Sequence, residues 1–158
     1  MKNPLFASRR RQAASVALAA ALALGACVHP LAAPRIPNPQ PLAPPPACNV
    51  ALCNISQTTW NDHIDPRHCQ GTCEGNNKSI FAAVYCGSLA NAIAFCQTLM
   101  GRPNCAPVQQ PGTRVAYGAD FAATVGEDRG NACANTVHGT VIYDTGTGAV
   151  VTQFPGNP

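Results

Sequence analysis

Eight cysteines fall between Cys48 and Cys133, and they constrain this chain more than any other feature. They are Cys48, Cys53, Cys69, Cys73, Cys86, Cys96, Cys105 and Cys133. An even set this dense in a short exported chain reads as a disulfide framework. The region they hold, 48–158, is long enough for one domain with a modest core, which cross-links would reinforce. Four bridges allow on the order of a hundred pairings, and sequence alone does not choose among them. One constraint follows from helix geometry. If residues 86–96 formed one straight helix, Cys86 and Cys96 would stand about 15 Å apart along its axis. A bridge needs Cα atoms within about 7 Å, so these two would take different partners.

The N-terminus supplies the reason to expect export. Arg9, Arg10 and Arg11 precede an apolar run over 13–26, the pattern of a secretory signal and too short for a comfortable membrane span. The run ends in Leu24-Gly25-Ala26-Cys27, which resembles a bacterial lipobox. That resemblance implies a signal over 1–26 and a lipid on Cys27 as the first mature residue. It also accounts for the ninth cysteine and leaves an even number for bridges. Residues 30–46 carry eight prolines, so 27–47 reads as a polyproline-type tether with no packed core, between a membrane anchor and a folded head at 48–158.

Charge narrows the function. Beyond Cys27 the bases are Arg35, Arg67, Lys78, Arg102, Arg114 and Arg129, and the acids are Asp62, Asp65, Glu74, Asp120, Glu127, Asp128 and Asp144. Six bases against seven acids leave −1 with neutral histidines, so the +3 of the full chain belongs to the signal. The mature domain is not a general polyanion binder, and any phosphate site must be local.

The head divides into a helical half and a strand half. Residues 79–100 read as helix, broken near Gly87-Ser88, with Ser88 capping a second segment. In that segment Leu89, Ile93, Cys96 and Met100 recur at helical spacing before Gly101 and Pro103. Residues 113–117 read as a strand. Residues 136–144 and 149–154 flank a Thr-Gly-Thr-Gly turn and read as a hairpin. The expected class is α+β, with N-terminal helices packed on a small antiparallel sheet.

Three stretches carry chemistry. In Trp60–His68, His63 and His68 titrate near neutrality and Arg67 offers a fork of donors to phosphate. Pro66 disfavours a straight helix here, which places the two histidines on a turn at a helix end. Lys78 and Ser79 would sit at a helix start, where free N–H groups favour an anion. On the strand 136–143, Thr136, His138, Thr140 and Ile142 share one face by the period of two. That face is polar and available, while Val137, Val141 and Tyr143 make the core face. Each stretch also has an ordinary structural reading, as a surface ion pair, a helix cap or a solvated strand face.

In order along the chain these pieces resemble the bacterial secreted RNase toxin domains. These form the barnase–EndoU–colicin–RelE-like group of contact-dependent and other polymorphic toxins. The matching residues are His63-Ile64, Arg67-His68, Gly71, Lys78-Ser79-Ile80-Phe81, Thr140 and Gly148–Pro155. The resemblance implies a metal-independent endoribonuclease without cofactor. RNA would be its substrate, an immunity protein a partner, and the domain would act as a monomer touching the membrane only through its lipid. His63, His68 and His138 would share the acid and base roles, and Arg67, Lys78, Ser79 and Thr140 would hold phosphate. The alternative is a non-enzymatic disulfide-rich binding or inhibitor lipoprotein.

Two other constellations are weaker. His63, His68, Cys69 and Cys73 have the wrong spacing for a common zinc site, and exported cysteines are more often oxidised. Asp144-Thr145-Gly146 is similar to an aspartic-protease triplet, but it sits where a hairpin turn is needed.

Overall fold

The computed structural model describes residues 43–158. The signal segment, Cys27 and the tether as far as residue 42 lie outside the described residues. The head is α+β, with two antiparallel sheets and four disulfides. The bridges are Cys48–Cys105, Cys53–Cys96, Cys69–Cys86 and Cys73–Cys133. Cys86 and Cys96 do take different partners. The bridges span separations of 17 to 60 residues. By loop-closure entropy each removes about 3–4 kcal/mol of unfolded-state freedom.

A helical run opens the head. Ser56 caps α1 (Gln57–Thr59), its hydroxyl accepting the Thr59 N–H. The run continues through a π-turn (Trp60–Ile64) into α2 (Asp65–His68). Thr72 caps α3 (Cys73–Asn76), which ends at Asn77 in the left-handed conformation, φ 54°. Here the structure departs from the sequence-based expectation. Residues 79–87 are not helix: Ile80–Phe81 form β1, and Ala83–Tyr85 a 3-10 turn. Lys78 and Ser79 therefore enter a strand and do not start a helix. The expected helix begins only at its second segment, α4 (Leu89–Met100), capped by Ser88 and stopped at Gly101.

The strands that follow are β2 (Ala106–Gln109), β3 (Arg114–Asp120), β4 (Gly126–Asp128), β5 (Ala134–Thr136), β6 (His138–Asp144) and β7 (Ala149–Pro155). One sheet runs β2-β3-β6-β7, and a smaller one runs β1-β4-β5. The β6–β7 hairpin closes where the turn residues predict, with Asp144 Oδ1 accepting the Gly146 N–H. A register shift follows at Ile142/Tyr143.

The core lies between α4 and one face of the larger sheet. Ala92, Phe95, Cys96, Leu99 and Met100 are buried on the helix, against Val115, Tyr117, Ala119, Val141 and Val150. Phe95 stacks on Phe121 at 5.2 Å between centroids and meets Phe81 edge-on at 4.7 Å. Gly139 leaves room for the Phe95 ring, since a Cβ there would come within 2.7 Å of it. Truncating a ring this buried costs about 3–5 kcal/mol.

The end of the Pro-rich segment is more tied down than a free spacer. Cys48 is bridged to Cys105, and the Tyr117 hydroxyl donates to the Pro46 carbonyl at 3.0 Å. Among the described residues no helix is long and apolar enough to cross a membrane.

Candidate active site

The helical run from Gln57 to His68 determines how the two nearby histidines meet. In an α-helix, residues five apart point about 140° away from each other. Here the Asp65 N–H reaches back to the Trp60 carbonyl, five residues earlier, and the turn is widened. His63 and His68 consequently come to one face, with ring centroids 6.2 Å apart. The turn that Pro66 leads one to expect here is instead helical. The ring of a helical proline crowds the carbonyl four residues back, which for Pro66 belongs to Asp62, inside the π-turn. The widened turn relieves that crowding, so the same local irregularity admits Pro66 and aligns the histidines.

His68 is buried. Its Nδ1 lies 2.8 Å from the Ser79 carbonyl, which can only accept, so Nδ1 carries the proton. That leaves Nε2 as the one ring nitrogen free to take a proton. The ring also stacks on Phe154, with centroids 5.7 Å apart. Burial lowers the His68 pKa to about 4, and the charges of Lys78 and Arg67 and the neighbouring His63 ring work in the same direction against the Ser79 hydrogen bond. His63 is shifted down as well, by burial first and then by Arg67, Lys78 and Arg114.

His63, Arg67, His68 and Lys78 line one cavity of about 300 Å³. The sequence suggests these four as members of one site, and the fold brings them together. It adds Arg129, Asn77, Thr152 and Phe154 to the same wall. No carboxylate lines this cavity. The described residues hold five bases: Arg67, Lys78, Arg102, Arg114 and Arg129. Three line the cavity, and Arg114 acts on His63 from nearby. Only Arg102 is engaged elsewhere, over the Phe121 ring at 4.3 Å. Among the described residues none of the five pairs with an acid, since the one ion pair is His138–Asp120. A near-neutral head thus gathers its positive charge at one place.

Ser79 is part of the scaffold. Its buried hydroxyl accepts the Arg129 N–H at 2.9 Å, with Asp128 Oδ1 3.5 Å away. Its carbonyl holds His68, so this residue ties the Arg129 segment to the histidine. Ser79 also lines the cavity, beside the cations expected with it to hold phosphate. Arg129 is further oriented by its Nε donating to Asn77 Oδ1. The sequence does not point to Arg129, because its contacts reach back about fifty residues. Nor does Thr152 stand out as a site residue. The residue lines the cavity, while its hydroxyl oxygen is buried away from solvent without a hydrogen-bond partner. One signal for it exists: Thr152 and Phe154 share a face of β7 by the period of two.

The strand face at Thr140 and His138 does not join this cavity. Thr140 is fully buried, and its hydroxyl donates to the Gly156 carbonyl at 2.6 Å, so it has no donor to offer a phosphate. His138 lies 2.7 Å from Asp120 through Nδ1 and lines a separate cavity with Asn104, Gly118 and Asn157. The face expected to be polar and available is covered at its centre. Of its expected opposite, Val141 is core but Val137 is exposed.

Cys69 and Cys73 are both in disulfides, so they are not thiolate ligands for zinc. Among the described residues no group of three His, Cys, Asp or Glu side chains is placed to hold a metal ion. Comparison with protein-family models, with curated proteins and with solved structures finds no match to this chain.

Proposed function

We propose that the head is an endoribonuclease that cleaves RNA by general acid–base catalysis, leaving a 2′,3′-cyclic phosphate. The observation that carries this is the cavity itself: two histidines 6.2 Å apart, one with its tautomer fixed, among Arg67, Lys78 and Arg129 and no carboxylate. His68 Nε2 takes the proton of the 2′-hydroxyl. The 2′-oxygen attacks phosphorus, and the P–O5′ bond breaks as protonated His63 gives its proton to the leaving oxygen. The three cations hold the phosphoryl oxygens as charge builds on them. A bound phosphodiester also raises both imidazole pKa values toward the working range, opposing the cations that depress them.

The RNase-toxin resemblance supports the same reading, as does the order of its motifs. In this reading the chain is a lipoprotein anchored through Cys27, it acts outside the cytoplasm where its disulfides persist, and an immunity protein is a partner. A second reading, an anion-binding module without turnover, is favoured by the low proton affinity of His68. The purified, oxidised protein with a fluorogenic RNA in EDTA separates them. Cleavage with cyclic phosphate ends, lost in His63→Ala and His68→Ala, supports the enzyme. Full cleavage in both variants, or none by the folded wild type, removes it.

A further inference from the structure

His63 stands between two cavities. One is the basic cavity described above. The other, of about 410 Å³, lies on the far side of His63, between the start of the helical run and the β6–β7 hairpin. Its chemistry is the reverse of its neighbour's. Apart from His63 it has no basic side chain, and its polar groups include the carboxylates of Asp62 and Asp144 and the hydroxyls of Thr58 and Thr147. Asp144 Oδ1 is already used, accepting from the Gly146 N–H within its own turn and from the Thr113 hydroxyl just before β3. Asp62 is exposed and, among the described residues, makes no ion pair and no side-chain hydrogen bond. Ala149, Val150 and Val151 form the apolar part of the wall.

We infer that this second cavity takes the nucleobase on the leaving-group side of the scissile phosphate, and selects bases that carry an exocyclic amino group. The inference rests on the phosphate occupying the basic cavity. A nucleotide has one strongly anionic part and one flat part with N–H donors and an apolar face. The two cavities sort these parts by charge: the carboxylates repel phosphate, and the cations have no use for an amino group. Ionised carboxylates accept from amino N–H groups in charge-assisted bonds, as aspartate does with cytosine N4. Adenine, cytosine and guanine each offer an amino group, and uracil does not. Because His63 gives its proton to the 5′-oxygen, the nucleoside beyond it is the one that departs.

The probes are the four nucleoside 5′-monophosphates and inorganic phosphate, titrated into the oxidised protein and into Asp62→Asn. Binding is read from the NMR shifts of His63, Asp62 and Thr58. AMP, CMP and GMP are expected to bind about tenfold more tightly than UMP. Asp62→Asn brings the four within about threefold of one another while inorganic phosphate binds as before. Four equal affinities in the wild type overturn the inference, as does discrimination that survives Asp62→Asn. Discrimination without RNA cleavage removes the catalytic reading and leaves the base site standing. Failure of both phosphate and nucleotides to bind removes both. Asp144→Asn is the second variant, and it reduces the same preference.

Discussion

His63, inside the π-turn, and His68, at the end of α2, are five residues apart in one helical run, yet their rings lie 6.2 Å apart on one face. Deleting Asn61 returns this run to α-helical register. Trp60 and Ile64 then move from four to three residues apart and still share a buried face. His63 turns away from His68, and Pro66 meets the carbonyl that the wide turn kept clear. The deletion is expected to cost about 3 kcal/mol of stability and at least about a hundredfold in cleavage. Adding Pro66→Ala restores the melting temperature and leaves cleavage low. If the double change also restores cleavage, histidine alignment is not what the π-turn provides.

Stability should fall between pH 6.5 and 4. His68 binds its proton at about pH 4 when folded and near 6.5 when unfolded. Over that interval the unfolded chain takes up protons that the folded one refuses, so acid favours unfolding. The full shift corresponds to about 3 kcal/mol, and His63 acts in the same direction. Melts of wild type and His68→Gln at about pH 7 and about pH 4.5 should show a smaller acid loss in the variant. Equal losses would show that His68 is not the group that titrates.

The clustered cations set the salt dependence. Removing Arg129 takes one phosphate contact away, and the slope of log affinity for single-stranded RNA against log salt should fall by about 0.7. Lys78→Ala should behave alike. Arg102→Ala is the control: its guanidinium covers Phe121, so it lowers stability and leaves the slope unchanged. Identical slopes in all three variants would place RNA elsewhere on the head.

Two bridges border the site. Cys69, next to His68, is tied to Cys86, and Cys73 to Cys133, four residues beyond Arg129. Replacing the Cys73–Cys133 pair with alanines should cost about 2–5 kcal/mol and weaken RNA binding further than Arg129→Ala alone. Replacing the Cys48–Cys105 pair costs stability without that extra loss of binding. The comparison is made by fluorescence anisotropy below both melting temperatures.

Local signals make some of this legible. Ser88 and Gly101 bound α4 as cap and stop residues do, and Asp144 to Gly148 turn the hairpin as their composition requires. His63, Arg67, His68 and Lys78 are visible as one group because they fall in one short window. What escapes depends on distance or competition. Ile80 and Phe81 continue an apolar run into α4 and read as helix, yet they pair with Gly126 and Glu127, which no local pattern reveals. Pro66 argues against helix at Trp60–His68 because the residue before a proline prefers extended geometry, yet Asp65 takes the right-handed helical conformation, φ −58° and ψ −55°. Thr140 looks accessible by alternation, but the Gly156 carbonyl covers its hydroxyl. Arg129 and Thr152 reach the cavity only through strand pairing and the Ser79 hydrogen bond.

The Cys73–Cys133 bridge joins residues 60 apart in sequence. The histidines are therefore made early and the Arg129 wall late, and an oxidising step must follow before the two halves are fastened. A nascent chain in a reducing compartment carries every residue of the cavity without the covalent tie that closes it.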